Sequence, residues 1–407
     1  MVMKLFPKIT YLGSLFELPF HFFWNKGEIK KLLPPLFTIY LLLLSLSLRA
    51  QNFVPVLGLT HSGGGTRAAG MGFAYTAISN DLSAFSWNPA GLSQLDQLTF
   101  GLEGKLNGRT WKNDMESDYY DQSTSMKDFW FNSVAIGVPF KTNLGRLSAG
   151  LAVHRLYLWN DIAHYPVYSY KHEGDNLAIG LAVAMNLWES LNFGISVHHI
   201  IGDMKVSSME IDFSGNTFEL GILYKTPFRI QLGGKFGIPS KLKMDIKDQS
   251  INTGWFSFNF TGNYEISIPK YYNIGLAFSP YDKLLIAIDM HSEPWSKSRF
   301  EGYNWVEEDI NSIHFGIEYN GINIPIRTGY CTVPSAFQDD KDEHIIYHSL
   351  NTGTGFKLKR LGLDVSFEYI FGSSTWEYSM YQQPYTLTES LKDYRLGLNI
   401  TYYLLLH

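Results

Sequence analysis

Residues 361–372 read LGLDVSFEYIFG, and from Leu361 to Tyr369 every second residue is apolar. The positions between them are Gly, Asp, Ser and Glu, so the ionisable groups share one face. Successive side chains of a β-strand point to opposite sides of the sheet, which makes a period of two the signature of a strand. The segment therefore predicts a strand whose two faces meet different environments.

The same alternation recurs after residue 97 in about fourteen segments. They are 98–110, 129–140, 146–157, 176–187, 192–202, 216–226, 229–246, 265–279, 284–296, 312–319, 322–332, 347–358, 361–372 and 393–406. Tight connections, as at 227–228 and 359–360, alternate with long ones, as at 247–264 and 373–392. Short turns at one end and long loops at the other are typical of outer-membrane barrels. We predict an all-β fold, a transmembrane antiparallel β-barrel of about fourteen strands over residues 98–407.

A soluble two-sheet sandwich is the alternative, because it also has alternating strands and polar turns. The segments average about ten residues or more, the length of a tilted membrane-spanning strand, whereas globular strands average about five to six. The end of the chain, DYRLGLNITYYLLLH at residues 393–407, resembles the closing-strand signal read by the barrel assembly machinery, although it lacks a terminal aromatic residue. We therefore favour the barrel and expect that machinery as a partner during biogenesis.

The composition excludes several other classes of protein. A net charge of −5 over 407 residues removes the electrostatic basis for nucleic-acid binding. A lone cysteine, Cys331, cannot form an internal disulfide or a cysteine-based metal site. Ser196, His198 and His199 could suggest a hydrolase, but adjacent strand residues point to opposite faces and the sequence offers no evident third partner. We expect no enzymatic activity, no cofactor, no bound metal and no nucleic-acid partner.

The one long apolar run is LLPPLFTIYLLLLSLSL, residues 32–48, which follows three lysines. A basic segment, an apolar stretch and a small residue at the cleavage point are the pattern of a secretory signal peptide. We predict that residues 1–50 are a signal peptide with an extended N-terminal region ahead of the apolar stretch. A transmembrane anchor is the alternative, but Pro34 and Pro35 make a poor spanning helix. Together with the barrel, the signal peptide predicts the outer membrane of a Gram-negative bacterium.

Residues 51–97 precede the first strand and are rich in Gly, Ala and Ser, with large apolar residues at intervals. Asp81 is a candidate helix N-cap and Pro89 a helix breaker. Small residues allow close packing inside a tube, so we predict that residues 51–97 form a plug, here called the hatch, inside the lumen. A periplasmic extension is the alternative.

Several motifs resemble one family. In the hatch they are Gly70-Met71-Gly72 and Asn88-Pro89-Ala90-Gly91-Leu92, and in the strands they are segments 268–277 and 326–330. This pattern resembles the FadL-like transporters of long-chain fatty acids and hydrocarbons in the outer membrane. The resemblance implies a fourteen-stranded barrel with an N-terminal hatch, capture of a ligand among extracellular loops, and sideways exit at a kinked third strand. The predicted third strand, 146–157, contains Gly150 but no proline or glycine pair, so the sequence does not show that exit.

The resemblance implies a transporter of long-chain fatty acids or other hydrophobic small molecules, with such a ligand and membrane lipid as its partners, and we expect a monomer. Exposed aromatic residues at loop tips suit an apolar ligand, although each could instead pack within its own loop. The candidate ligand-binding residues are Trp255, Phe256, Phe258, Trp376, Tyr378 and Arg327. PorV-like accessory barrels of protein secretion resemble the same hatch region and remain the alternative function.

Polar faces of the strands predict a charged lumen whose groups pair with one another or with the hatch. Arg327 and Glu318 both lie on the polar faces of consecutive strands and could pair across a tight turn. Arg327 could instead bind a fatty-acid carboxylate through two hydrogen bonds. We favour the structural pairing.

Overall fold

The computed structural model describes residues 64–404, except 116–121, 144, 159–160, 165–168, 207–208, 253–256, 303–307, 322–323, 340–342 and 381–382. Within these residues the chain forms eighteen strands and four short helices. None of these helices is both long and apolar enough to cross a membrane. The predicted signal peptide lies outside the described residues.

Fourteen of the eighteen strands pair in a closed antiparallel ring. The ring strands are β1 (Leu98–Met115), β2 (Gln122–Thr142), β3 (Gly145–Leu158), β5 (Ser169–Trp188), β6 (Leu191–Val206), β7 (Met209–Lys225), β8 (Ile230–Pro239), β11 (Tyr271–Tyr281), β12 (Leu284–Glu293), β14 (Ile310–Tyr319), β15 (Ile326–Gln338), β16 (His344–Lys357), β17 (Leu361–Met380) and β18 (Gln383–Leu404). The last strand pairs with the first from Leu98↔Leu404 to Met115↔Leu387, which closes the ring. The predicted barrel and its number of strands are confirmed.

The four remaining strands lie in the long connections. They are β4 (Asp161–His164), β9 (Lys241–Asn252), β10 (Ser257–Ser267) and β13 (Arg299–Phe300). The segment 229–246, predicted as one strand, is divided between β8 and β9. The connection 373–392 was predicted as a loop, but β17 and β18 remain paired up to Met380↔Gln383. The long connections therefore continue the strands of the barrel beyond the predicted ends.

The two faces of the ring strands differ as the alternation predicts. Outward apolar side chains are exposed, for example Leu181 at 55% and Ile274 at 59%. Large aromatic side chains are also exposed at the tight-turn end, including Trp188 and Phe228. An outward apolar band with aromatic residues at its border is the surface of a membrane-spanning barrel. A closed ring leaves no unpaired strand edge in the hydrocarbon, which explains why the sheet closes.

Candidate functional site

The described part of the hatch, residues 64–97, is buried almost throughout and packs against the inward face of the ring. It contains two short helices, Thr66–Gly70 and Ala84–Trp87, and a 3₁₀ helix, Pro89–Gln94. Asp81 accepts hydrogen bonds from the Ser83 backbone N–H at 2.9 Å and hydroxyl at 2.5 Å, just before the second helix. Short turns of small residues allow the hatch backbone to lie close to the wall.

Asn88 joins three parts of the molecule and is fully buried. Its Oδ1 accepts a hydrogen bond from the Ala90 backbone N–H at 3.1 Å and so caps the 3₁₀ helix that Pro89 begins. Its Nδ2 donates to the carbonyl oxygens of Thr76, at 3.0 Å, and Ile222, at 2.9 Å. Because Ile222 belongs to β7, this side chain ties the hatch to itself and to the wall.

Glycines on the inward face of the wall make this close approach possible. A Cβ built on Gly221 of β7 would lie 2.2 Å from Asn88 Oδ1, and one on Gly194 of β6 would lie 2.3 Å from the Ala90 nitrogen. The same holds at Gly316 of β14, where a Cβ would lie 2.3 Å from the Met71 oxygen. Any side chain at these positions would displace the hatch backbone. The alternation gave no reason to single out these glycines, because glycine fits either face of a strand.

A second connection between hatch and wall is ionic. Arg67 of the hatch meets Glu318 through two hydrogen bonds, Nε to Oε2 at 2.7 Å and Nη2 to Oε1 at 2.8 Å. Glu318 also accepts a bond of 2.6 Å from Arg327 Nε, and Arg327 Nη1 lies 2.7 Å from an oxygen of Asp364. Arg327 thus contacts Glu318 across the tight turn and two further acceptors, Asp364 and the Thr354 carbonyl oxygen.

Burial and neighbouring charges fix the protonation of the groups around Arg67. Burial by itself lowers the pKa of Arg67, but the oxygens of Tyr75 and Glu318 raise that pKa well above its usual value. Burial raises the pKa of Tyr75 well above its usual value despite the opposing charge of Arg67, and Asp81 acts in the same direction. Arg67 therefore stays charged and Tyr75 neutral near neutral pH.

Ser196 and His198 face the lumen together and meet an acidic partner that sequence reasoning missed, Glu219 of β7. His198 Nε2 lies 3.0 Å from Ser196 Oγ and 3.2 Å from Glu219 Oε2. The register places Ser196 directly opposite Glu219. A catalytic triad needs the serine on one ring nitrogen and the acid on the other, whereas here both lie on Nε2. Lys235 also contacts Glu219, at 3.2 Å, and the Ser86 carbonyl oxygen of the hatch, at 2.6 Å, so the cluster serves as a further contact with the hatch.

Five further lumenal charges of β1, β17 and β18 pair among themselves. Lys105 lies 3.1 Å from Glu368, and Arg109 and Arg395 lie 3.0 Å and 2.7 Å from the same oxygen of Asp393. All five side chains are at least 95% buried.

The lumen towards the long connections has an apolar lining, in contrast to the charged level around the hatch. Inward side chains near the loop ends of six ring strands form this upper lining and are buried together: Trp111, Ile310, Val333, Ile345, Tyr347, Ile370, Leu387 and Leu391. They belong to one cluster with Phe73 and Trp87 of the hatch, whose rings stack with centroids 5.5 Å apart. The upper lining therefore ends on an aromatic floor provided by the hatch.

The structure describes three of the five candidate aromatic residues of the loops, and two of these lie in a ring strand. Trp255 and Phe256 are outside the described residues, while Phe258 belongs to β10. Trp376 and Tyr378 belong to β17, so their assignment to a loop was wrong. Strand pairing continues there because the alternation of the hairpin extends past residue 372.

The ladder between β2 and β3 is one of several in the wall that stop short of the strand ends. Their ladder runs from Thr142↔Gly145 only to Ser133↔His154. Beyond that point, in the described part of the chain, residues 122–132 of β2 pair with β1 and not with β3. A cavity of about 40 Å³, large enough for water, lies where the ladder stops and is lined by Ser133, His154 and hatch residues.

Solved structures share this architecture, although no protein-family model and no curated protein matches the sequence. A FadL homologue of Pseudomonas aeruginosa superimposes with a TM-score of 0.62 at 12% identity, over 83% of this chain and 98% of that chain. The toluene transporter TodX of P. putida gives 0.62 at 14% identity, over 85% and 99% of the two chains. TbuX, a toluene transporter of Ralstonia pickettii, gives 0.55 at 13%, over 84% and 99%.

The chain therefore has the fold of the FadL-like transporters, as the resemblance in its sequence predicted. The outward apolar band and this fold together are those of an outer-membrane barrel, in agreement with the predicted location. Two of these structures are toluene transporters, and the third is a FadL homologue.

Proposed function

We propose that the chain carries hydrophobic small molecules across the outer membrane. The observation that carries this proposal is the upper lining. A barrel that serves as a water-filled pore has a polar interior, whereas here eight large apolar side chains near the loop ends form one buried cluster with Phe73 and Trp87. Such a lining gives an apolar solute a favourable environment before it reaches the hatch.

The charges beneath the upper lining favour an uncharged ligand over a fatty acid. A carboxylate would need a cation, yet Lys105, Arg109 and Arg395 each already contact an acid. Displacing one of these buried pairs would leave an uncompensated charge, which costs about 3–5 kcal/mol. The proposed ligand class is therefore neutral hydrocarbons, with long-chain fatty acids as the second candidate.

The seam between β2 and β3 is the proposed exit. A ligand on the hatch floor would pass sideways where the ladder has already stopped at Ser133 and His154. This route agrees with the sideways exit that the sequence resemblance implies.

The test is uptake of radiolabelled toluene and oleate by a Gram-negative host that lacks its own transporter for either compound. Leu391→Gln places an amide in the upper lining, and an unpartnered buried amide costs about 1–3 kcal/mol. We expect toluene uptake to fall about tenfold in this variant while the barrel stays heat-modifiable. Leu391→Met, which keeps the apolar character and nearly the volume, is the matched control and should retain uptake.

Equal uptake by cells with and without the protein would refute the proposal. Faster uptake of oleate than of toluene would favour long-chain fatty acids over neutral hydrocarbons as the ligand class. The alternative role as a secretion accessory receives no support from the solved structures reported above, and stable co-purification with a secreted protein would be needed to favour it.

A further inference from the structure

A second site lies at the opposite end of the barrel from the upper lining. A cavity of about 760 Å³ opens at the tight-turn end, between the hatch and the turns that follow β2, β5 and β7. Cavities that hold small molecules measure about 300–1,000 Å³. The hatch contributes Ser93 and Gln94 to its lining, and the wall contributes Lys141, Arg146, Asn192 and Lys225.

The charges of this cavity are unlike those of the lumen. Three basic side chains line it against two acidic ones, Asp96 and Glu189. None of the five forms an ion pair with another described residue, whereas the lumenal cations Lys105, Arg109 and Arg395 all do. Arg146 makes only two long contacts, at 3.4 Å, to the carbonyl oxygens of Gln94 and Leu95. Lys141 and Lys225 thus line the cavity without a side-chain partner among the described residues, and Arg146 has only these two carbonyl contacts.

Asn192 adds a neutral donor and is only 2% exposed. Its Oδ1 accepts hydrogen bonds from Ser93 Oγ at 2.9 Å and Asn186 Nδ2 at 2.8 Å, which fixes the orientation of the amide. Its Nδ2 has no hydrogen-bond partner among the described residues. A buried donor without an acceptor is costly, so an acceptor from a ligand in the cavity would be favoured.

We propose that this cavity binds a small polar anion that carries a carboxylate or a phosphate. Lysine and arginine side chains are the usual partners of both groups, and the Asn192 amide supplies a further donor to an oxygen. The two acids leave the site only one positive charge in excess, so it suits an anion of low charge. The lining is mostly polar and offers little surface to an acyl chain, which separates this site from the path proposed for hydrophobic ligands.

The position of the site couples it to the hatch. Ser93 and Gln94 belong to the 3₁₀ helix that Asn88 caps, and Gln94 Nε2 also donates to the Ile78 carbonyl oxygen at 2.8 Å. An anion held between this helix and the wall stabilises the closed position of the hatch, since a ligand favours the state that binds it.

The test is isothermal titration of the purified full-length barrel in neutral detergent, with inorganic phosphate and succinate as separate probes. Lys225→Met removes one cation, and Asn192→Asp keeps the acceptor of Ser93 while replacing the donor with a negative charge. Each variant should weaken binding at least tenfold. Lys359→Met, an exposed lysine of another tight turn outside the cavity, is the control and should bind like the wild type. The better probe identifies which of the two groups the site prefers.

Hydrogen exchange of residues 89–94 gives a second readout, and the bound probe should slow it. The proposal is overturned if neither probe binds, if Lys359→Met weakens binding as much as Lys225→Met, or if both cavity variants bind like the wild type. Because these measurements involve no hydrophobic ligand, their failure leaves the uptake test above unaffected.

Discussion

Replacing Asn88 with alanine should loosen the hatch without unfolding the barrel. The change removes three hydrogen bonds, to the Ala90 N–H and to the carbonyl oxygens of Thr76 and Ile222. Each such bond contributes a net free energy of about 0.5–1.5 kcal/mol, so the loss is roughly 3 kcal/mol. Since 1.4 kcal/mol is a factor of ten, the open population of this part of the hatch should rise on the order of 100-fold. The ring strands keep all their ladders.

Hydrogen exchange followed by mass spectrometry measures this opening directly. The amide of Gly91, which donates to the Asn88 carbonyl oxygen at 2.9 Å, should exchange about 100-fold faster in Asn88→Ala. Asn88→Asp retains the acceptor for Ala90 but sets a buried carboxylate against the carbonyl oxygens of Thr76 and Ile222, so its acceleration should be at least that of Asn88→Ala. Unchanged exchange of residues 89–94 in a folded Asn88→Ala barrel would refute the claim that this side chain fixes the hatch.

The double substitution Asn88→Ala with Pro89→Ala extends the prediction to transport. It should preserve heat-modifiability and lower uptake of toluene, because the floor formed by Phe73 and Trp87 is no longer held in place. Equal uptake by the double variant and the wild type would leave the motif with a structural role alone.

Three further predictions concern the wall and its contacts. Gly221→Ala should accelerate exchange in the hatch at least tenfold because its Cβ would lie 2.2 Å from a hatch oxygen, whereas a Cβ on Gly108 meets nothing within 4 Å and Gly108→Ala should have no effect. Arg67→Met should lower the temperature of heat modification. The loss of stability should be less than the roughly 3–5 kcal/mol of a wholly broken buried pair, because Glu318 keeps a second arginine, Arg327. Cys331, 2% exposed, should react with maleimide only after heat unfolding, and labelling of the native barrel would contradict its position.

The ring could be predicted from sequence because the two faces of each strand meet lipid and lumen. In β17, Leu361 and Phe367 are exposed on the outside while Glu368 is fully buried inside. That contrast applies to every ring strand within the membrane, so the alternation persists from one end of the barrel wall to the other. The number of ring strands follows from it directly.

The boundary between β8 and β9 shows where this reasoning fails. Apolar residues occupy even positions from Leu232 to Ile246 without a change of phase, so the sequence predicts one strand. In β8 these side chains face lipid, and Phe236 is 38% exposed. In β9, beyond Ser240, they turn inward and Leu242 is only 7% exposed. Alternation reports an apolar face but not whether lipid or protein covers it.

The hatch contacts were predictable only in part. The resemblance identified the segment around Asn88, and the polar faces predicted that Glu318 and Arg327 could pair, as the structure places them. The acid beside His198 could not be found, because Glu219 becomes its neighbour through the register of β6 and β7 across a long connection. Pairing of lumenal groups depends on strand stagger, which alternation does not determine.

The energies of these contacts decide which way a ligand leaves the hatch floor. Moving the hatch aside breaks the hydrogen bond from Asn88 to the Ile222 carbonyl oxygen and the ion pair of Arg67 with Glu318. It also breaks the bonds of 2.7 Å and 2.6 Å from the backbone N–H groups of Tyr75 and Thr76 to Asp289. Taken together these contacts cost on the order of 10 kcal/mol, which would make full removal of the hatch a rare event.

The seam between β2 and β3 needs no such loss. From Ser133 and His154 towards the long connections, the two strands share no ladder in the described residues. A ligand on the proposed route therefore passes between them without breaking a strand hydrogen bond. In the proposed mechanism the hatch acts as a fixed floor that directs an apolar molecule sideways into lipid. This difference in cost implies that a disulfide closing the seam would stop uptake, whereas a disulfide fixing the hatch to β7 would leave it nearly unchanged.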